Sequence, residues 1–231
     1  MTESKFLQAK AILFDLDGTL VETDNRWADV LTEKLFPLKR LFPGLDTRRL
    51  ARQLIMSIEM PANYAISILE RLGLSHLLSG MADRVRRSKG LATREGSQPV
   101  PGTHDMLDAL QSRYQMAVVT TRARREALAF IEQLGVDSYF PVVVTRQDVL
   151  RMKPHPEPVY TAAEAIHVDP RYCVMVGDTV MDVRAAKRAG AVAVGVLSGF
   201  GDRRELERAG ADLVLDRACQ LLDYLDNGHN A

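Results

Sequence analysis

Two aspartates, Asp15 and Asp17, follow the short apolar run Ala11–Phe14 and are followed by Gly18, Thr19 and Leu20. In a strand, residues two apart share a face, but here the chain is leaving the strand, so the pair falls at its carboxyl edge. Open α/β sheets bind their ligands at that edge. Two carboxylates held together repel, and the glycine after them permits a tight turn. A divalent cation is the simple way to offset such a cluster, and hard oxygen donors suit Mg2+. On its own, an Asp-x-Asp pair is more often a turn with helix-capping aspartates.

This pair is not on its own. A second apolar run, Met116–Val119, ends in Thr120 and Thr121 and brings hydroxyls to the same edge. Lys153 and Pro154 follow the run Val142–Val144 by one loop and supply a cation. The run Cys173–Val176 ends in Gly177-Asp178-Thr179-Val180-Met181-Asp182, which adds two carboxylates. Acid pair, hydroxyl, lysine and acid pair thus recur at the ends of four successive strands.

The elements that must hold these residues read clearly. The four runs, with Val192–Val196 and a sixth at Leu213–Leu215, are short, lack polar alternation and are bounded by turn-forming residues. Parallel strands buried on both faces have this pattern. Helical periodicity over Ala123–Leu134, Pro158–Ile166 and Asp182–Ala189 lies between them, with Gly135 and Gly190 as stops. Alternating strands and helices predict a doubly wound α/β parallel sheet. Residues 22–95 break the rhythm and read as helices over Asp24–Leu35, Asp46–Glu59, Pro61–Leu72 and His76–Lys89. The predicted organisation is a core of residues 1–21 and 96–231 carrying an inserted helical domain at 22–95.

All four motifs, in this order, resemble those of the haloacid dehalogenase-like hydrolase superfamily, and the chain is similar to its phosphoglycolate phosphatase-like branch. The motifs are Asp15-Leu16-Asp17-Gly18-Thr19-Leu20, Thr120, Lys153, and Gly177-Asp178 with Asp182. The likeness extends over about residues 11 to 216, and the inserted helices occupy the position of that family's cap. It implies a Rossmann-like core and an Mg2+-dependent phosphatase with Asp15 as nucleophile, forming an aspartyl-phosphate. Asp17 would protonate the leaving alcohol and later activate water. Thr120 would bind a phosphoryl oxygen, and Lys153 would neutralise charge on the phosphoryl group and on Asp15. The metal would sit between Asp15, the Asp17 backbone carbonyl and Asp178, with Asp182 supporting it directly or through another group. Gly18, Thr121 and Arg26 are further candidates for substrate binding. Thr120-Thr121 departs mildly from the family's usual Ser/Thr-Asn pair.

Other residues carry weaker expectations. Arg84, Arg86, Arg87 and Lys89 read as a solvated helix face, and Trp27 as packing between insertion and core. Arg122, Arg124 and Arg125 read as a solvated helix turn, His104 as structural, and His155 as orienting the Lys153 loop.

Composition excludes several classes. The 231 residues hold 30 basic and 30 acidic side chains, which argues against a nucleic-acid binder or a polybasic membrane-surface protein. The zero is a balance: residues 22–95 hold 13 Lys/Arg against 9 Asp/Glu, a net of +4, leaving −4 elsewhere. Such a division suits a small phosphorylated metabolite held between a basic insertion and an acidic, metal-loaded site. The first residues show no signal-peptide pattern, and no apolar run approaches the roughly 20 residues of a membrane span. A cytoplasmic location is therefore expected, and the two cysteines suit a reducing compartment. Oligomeric state has no sequence signature here. The competing readings are a phosphosugar mutase of the same superfamily, a phosphoacceptor signalling module, and a pseudoenzyme that binds a partner through the insertion.

Overall fold

The structure is a computed structural model, and it describes residues 6–22, 26–37, 42, 44, 47, 50–51 and 98–226. Six parallel strands form one sheet. They are β1 (Ala11–Phe14), β2 (Gln115–Val119), β3 (Val142–Val144), β4 (Cys173–Gly177), β5 (Val192–Val196) and β6 (Leu213–Leu215). Their spatial order is β3-β2-β1-β4-β5-β6. The order reverses direction between β1 and β4, which is where a doubly wound sheet opens its ligand crevice. All six expected strands are present, two of them one residue longer than expected.

The alternation of side chains explains why no strand shows a polar face. Ile12, Phe14, Met116, Val118, Val174 and Val176 enter one buried cluster, and Ala11, Leu13, Ala117, Val119, Cys173 and Met175 enter the other. The first cluster is closed by the helices α2 (Thr103–Gln111), α3 (Arg124–Gln133) and α7 (Leu221–Asp226), through Met106, Leu110, Phe130, Ile131 and Leu221. The second is closed by α4 (Glu157–Ala165), α5 (Val180–Ala189) and α6 (Arg203–Ala209). Its alanines, among them Ala162, Ala163, Ala185 and Ala186, leave room for helices to approach closely. Each large aliphatic side chain so buried contributes roughly 1.5–3 kcal/mol. Cys173 lies in this layer, where burial pushes its thiol up to about 12, an unreactive state.

Register aligns the strand ends. Phe14 pairs with Val118 on one side and with Val176 on the other. The residues that follow β1, β2 and β4 therefore emerge at one edge.

By compactness the chain divides into two units, residues 1–23 with 95–231, and residues 24–94. In the second unit the described helix is α1 (Arg26–Leu35). The helices expected between 46 and 89 lie almost wholly outside the described residues. In the first unit, the outgoing and returning segments are tied together: Val21 pairs with Pro99, and the Glu22 amide donates to the Gln98 carbonyl at 3.0 Å.

Candidate active site

Asp15 is the first residue beyond β1, and its amide still donates to the Val176 carbonyl of β4 at 2.8 Å. Its carboxylate is thereby aimed from the centre of the sheet edge. Lys153 Nζ donates to Asp15 Oδ1 at 2.7 Å, to Asp182 Oδ1 at 2.5 Å and to the Val119 carbonyl at 2.9 Å. Its side chain is only 4% exposed, and all three ammonium hydrogens are used. Burial opposes the Lys153 charge, but Asp15 and Asp182 outweigh it and raise its pKa.

Asp178 follows β4 and is fully buried. Its Oδ2 accepts from the Phe200 amide at 2.7 Å. Two glycines make room for it. Gly18 has φ +70°, and a Cβ there would come within 2.7 Å of Asp178 Cγ; a Cβ at Gly199 would come within 2.6 Å. Ser198 Oγ donates to the Gly18 carbonyl at 2.6 Å and joins the two turns.

Asp182 opens α5 in a capping box: its amide and carboxylate exchange hydrogen bonds with Thr179. Helix α5 begins two residues before the expected Asp182, because Thr179 is the cap. Asp182 Oδ2 accepts from the Thr179 amide and hydroxyl, while Oδ1 accepts from Lys153. Both oxygens are therefore engaged within the protein.

The carboxylate oxygens of Asp15, Asp178 and Asp182 lie within 4.8 Å of one another. Lys153 is the cation hydrogen-bonded to this set among the described residues. Burial pushes the Asp15 carboxyl up to about 7; Lys153 lowers it in part, and Asp182 and Asp17 raise it. Burial also raises Asp178 well above the usual carboxylate range, reinforced by Asp15 and Asp182. One lysine is thus too little charge for three buried acids. A divalent cation fits here, since Asp15 and Asp178 each keep one oxygen unused by the described residues.

Asp17 departs from this set. Its side chain is 37% exposed, and its carboxylate is held from outside the cluster by Arg122. Arg122 Nε donates to Asp17 Oδ2 at 2.7 Å and Nη2 to Asp17 Oδ1 at 2.6 Å. The expectation of a solvated helix turn is corrected for Arg122. It precedes α3, its side chain is 11% exposed, and its guanidinium lies 4.1 Å from the centre of the Phe130 ring. Burial works against its charge, but the Asp17 carboxylate outweighs that and raises its pKa. Arg124 and Arg125 are exposed, as expected, with Arg124 paired to Asp148.

Thr120 is buried beyond β2, and its Oγ1 accepts from the Arg122 amide at 3.2 Å. Thr121 follows, half-buried. Arg26 is the first residue of α1, but nothing is described of its side chain or that of Trp27, and Arg84–Lys89 lie outside the described residues. His104 Nε2 lies 2.9 Å from the Leu134 carbonyl at the end of α3, a structural link. His155 Nδ1 accepts from the Glu157 amide at 3.2 Å, within the loop that carries Lys153.

A doubly wound sheet with this arrangement at its edge defines a class, and comparison supports it. The family of haloacid dehalogenase-like hydrolases matches residues 12–196, and the chain belongs to that family. Among its relatives, the phosphoglycolate phosphatase of Shigella dysenteriae is 28% identical over 255 residues, covering 98% of this chain and 96% of the relative. The pyrophosphatase PpaX of Bacillus velezensis is 30% identical over 214 residues, covering 92% and 94%. The chain is accordingly an enzyme, a hydrolase of phosphatase type. Among solved structures, a protein of Thermotoga maritima provisionally named beta-phosphoglucomutase matches with a TM-score of 0.64 and 27% identity, covering 94% of this chain and 99% of the other. A family hydrolase of Deinococcus radiodurans shares the fold, with a TM-score of 0.68 at 22% identity, covering 96% and 97%. No described helix is long and apolar enough to cross a membrane.

Proposed function

We propose that the chain is an Mg2+-dependent phosphatase for a small phosphorylated metabolite of the phosphoglycolate type, working through an aspartyl-phosphate. The observation that carries this reading is the Lys153 ammonium shared by buried Asp15 and Asp182 beside buried Asp178. A phosphate monoester dianion repels a bare carboxylate, so the nucleophile must be held among cations.

In this reading the Asp15 carboxylate attacks phosphorus as the bond to the ester oxygen breaks, and Asp17 gives that oxygen its proton. Asp17 then takes a proton from water as the water displaces the Asp15 carboxylate from phosphorus, releasing inorganic phosphate. Splitting hydrolysis in two lowers each barrier. Lys153 neutralises the Asp15 carboxylate before attack and the phosphoryl oxygens after it. Thr120 hydrogen-bonds a phosphoryl oxygen, and the turn at Gly18 supports it with backbone amides. Asp15, the Asp17 carbonyl and Asp178 would hold Mg2+, which would supply the charge that Lys153 alone lacks. Asp182, with both oxygens engaged, orients Lys153. The insertion at 22–95, with Arg26 as a candidate contact, selects among esters, and Thr121 is a candidate contact from the core.

The test is inorganic phosphate release from phosphoglycolate, pyrophosphate, a sugar phosphate and a nucleoside monophosphate, with Mg2+ and with chelator. Mg2+-dependent release from at least one, abolished by Asp15→Asn, is the expected result; full activity of Asp15→Asn would end the mechanism. A second reading, a phosphosugar mutase, draws on the Thermotoga maritima likeness. It predicts transfer of the phosphoryl group between positions of a sugar without phosphate release.

A further inference from the structure

Asp17 stands on a turn, and a partly exposed aspartate there has two free side-chain torsions. Proton transfer to a leaving oxygen needs one direction among many. The Arg122 fork removes that freedom: two parallel hydrogen bonds fix both the position and the plane of the carboxylate. Arg122 is in turn fixed from three sides. Its guanidinium lies on Phe130, which is buried in α3. Its amide donates to Thr120 Oγ1, and its carbonyl accepts from the Arg146 amide at 3.3 Å. Sheet edge, Thr120 and α3 therefore all converge on the orientation of one carboxylate.

We propose that Arg122 is the positioning residue for Asp17, aligning its carboxylate for proton transfer while leaving phosphoryl binding to other groups. The inference rests on the reading of Asp17 as the acid–base residue. A lysine at 122 would not serve equally, because a point charge on a flexible stem cannot set the plane of a carboxylate. Direct binding of substrate anion by Arg122 is the competing role, but its Nε and Nη2 donors already face Asp17.

The experiment compares wild type, Arg122→Met, Arg122→Lys, Asp17→Asn and the double variant Asp17→Asn/Arg122→Met. The substrates are an alkyl phosphate turned over by the wild type and p-nitrophenyl phosphate, whose leaving group needs no proton. Acid–base groups contribute roughly 10²–10⁴-fold, so misalignment in Arg122→Met should lower kcat on the alkyl ester about 10- to 100-fold. KM should change by less than about threefold, since binding is untouched. On p-nitrophenyl phosphate the first turnover should survive and the second step lag, giving a burst of nitrophenolate equal to the enzyme present. Arg122→Lys should recover only part of kcat. The double variant should be no slower than Asp17→Asn, because Arg122 acts only through Asp17.

Unchanged kcat, a raised KM at intact kcat, or an equal fall on both esters with no burst and a lowered unfolding midpoint would each overturn the inference. If Asp17→Asn shows the burst and Arg122→Met does not, only the role of Arg122 fails. If Asp17→Asn itself keeps full alkyl-ester turnover, it is the reading of Asp17 that fails.

Discussion

Replacing Lys153 with methionine tests the electrostatic account of the site most directly. Methionine keeps most of the side-chain length, so the change removes a charge and three hydrogen bonds without opening a large cavity. Asp182 is 1% exposed and Asp15 11%, and both lose their cation while Asp178 remains beside them. Removing one partner of a buried ion pair costs about 3–5 kcal/mol when the other must stay charged. The Asp15 carboxylate can escape that cost by binding a proton, so the penalty depends on pH. Asp15 already titrates near 7 against 3.8 for a free aspartate, and loss of Lys153 drives it higher. The folded state then binds more protons than the unfolded one from about pH 4 to above 7, and stability falls as pH rises through that window. Urea unfolding in chelator should show Lys153→Met about 1 kcal/mol less stable than wild type at pH 5.5, and about 3–5 kcal/mol at pH 8.5. A divalent cation should recover part of the loss at pH 8.5. Equal losses at the two pH values, or less than about 1 kcal/mol at pH 8.5, would refute the reasoning.

Two further expectations follow from the same cluster. Gly18→Ala places a Cβ against the Asp178 carboxyl at a backbone φ of +70°, so stability should drop by about 1–3 kcal/mol, and Mg2+ affinity about tenfold or more; calorimetric titration that finds wild-type affinity would show the glycine to be dispensable. Because Asp15 titrates near 7 and Asp178 is also raised, a divalent cation bound by them must displace protons below neutrality, and its Kd should weaken about tenfold per pH unit for each proton released. Titrations at pH 6 and 8 that return one Kd would contradict that competition.

The sheet was legible in the chain because burial on both faces leaves a signal in every strand: runs such as Cys173–Val176 carry no polar residue. Asp15, Thr120, Lys153 and Asp178 were legible because each follows or neighbours such a run, and parallel strands bring their carboxyl ends to one edge. The start of α2 was legible at His104, but the helices α6 and α7, seven and six residues long, were not assigned from the sequence. They are short, and tertiary contacts rather than long periodic stretches hold them.

What only the tertiary structure decided concerns partners distant in the chain. Asp182 looked equally able to bind a metal or to support one; its own helix cap takes one oxygen through Thr179, and only the arrival of the Lys153 ammonium engages the other. Arg122 looked like a surface residue because its neighbours Arg124 and Arg125 are surface residues. Its partner stands 105 positions earlier, so no local spacing could show the pair. Gly199 and Phe200, although part of a stretch that resembles the family, had no role that the sequence could assign, for the same reason: their use is to admit and hold a carboxylate that arrives from β4. Residue types and strand ends thus determined which chemistry stands at the edge of the sheet. Three-dimensional packing decided which carboxylate takes a backbone amide, which are tied to a lysine and which is held by an arginine, because burial and hydrogen-bond geometry exist only once the distant segments meet.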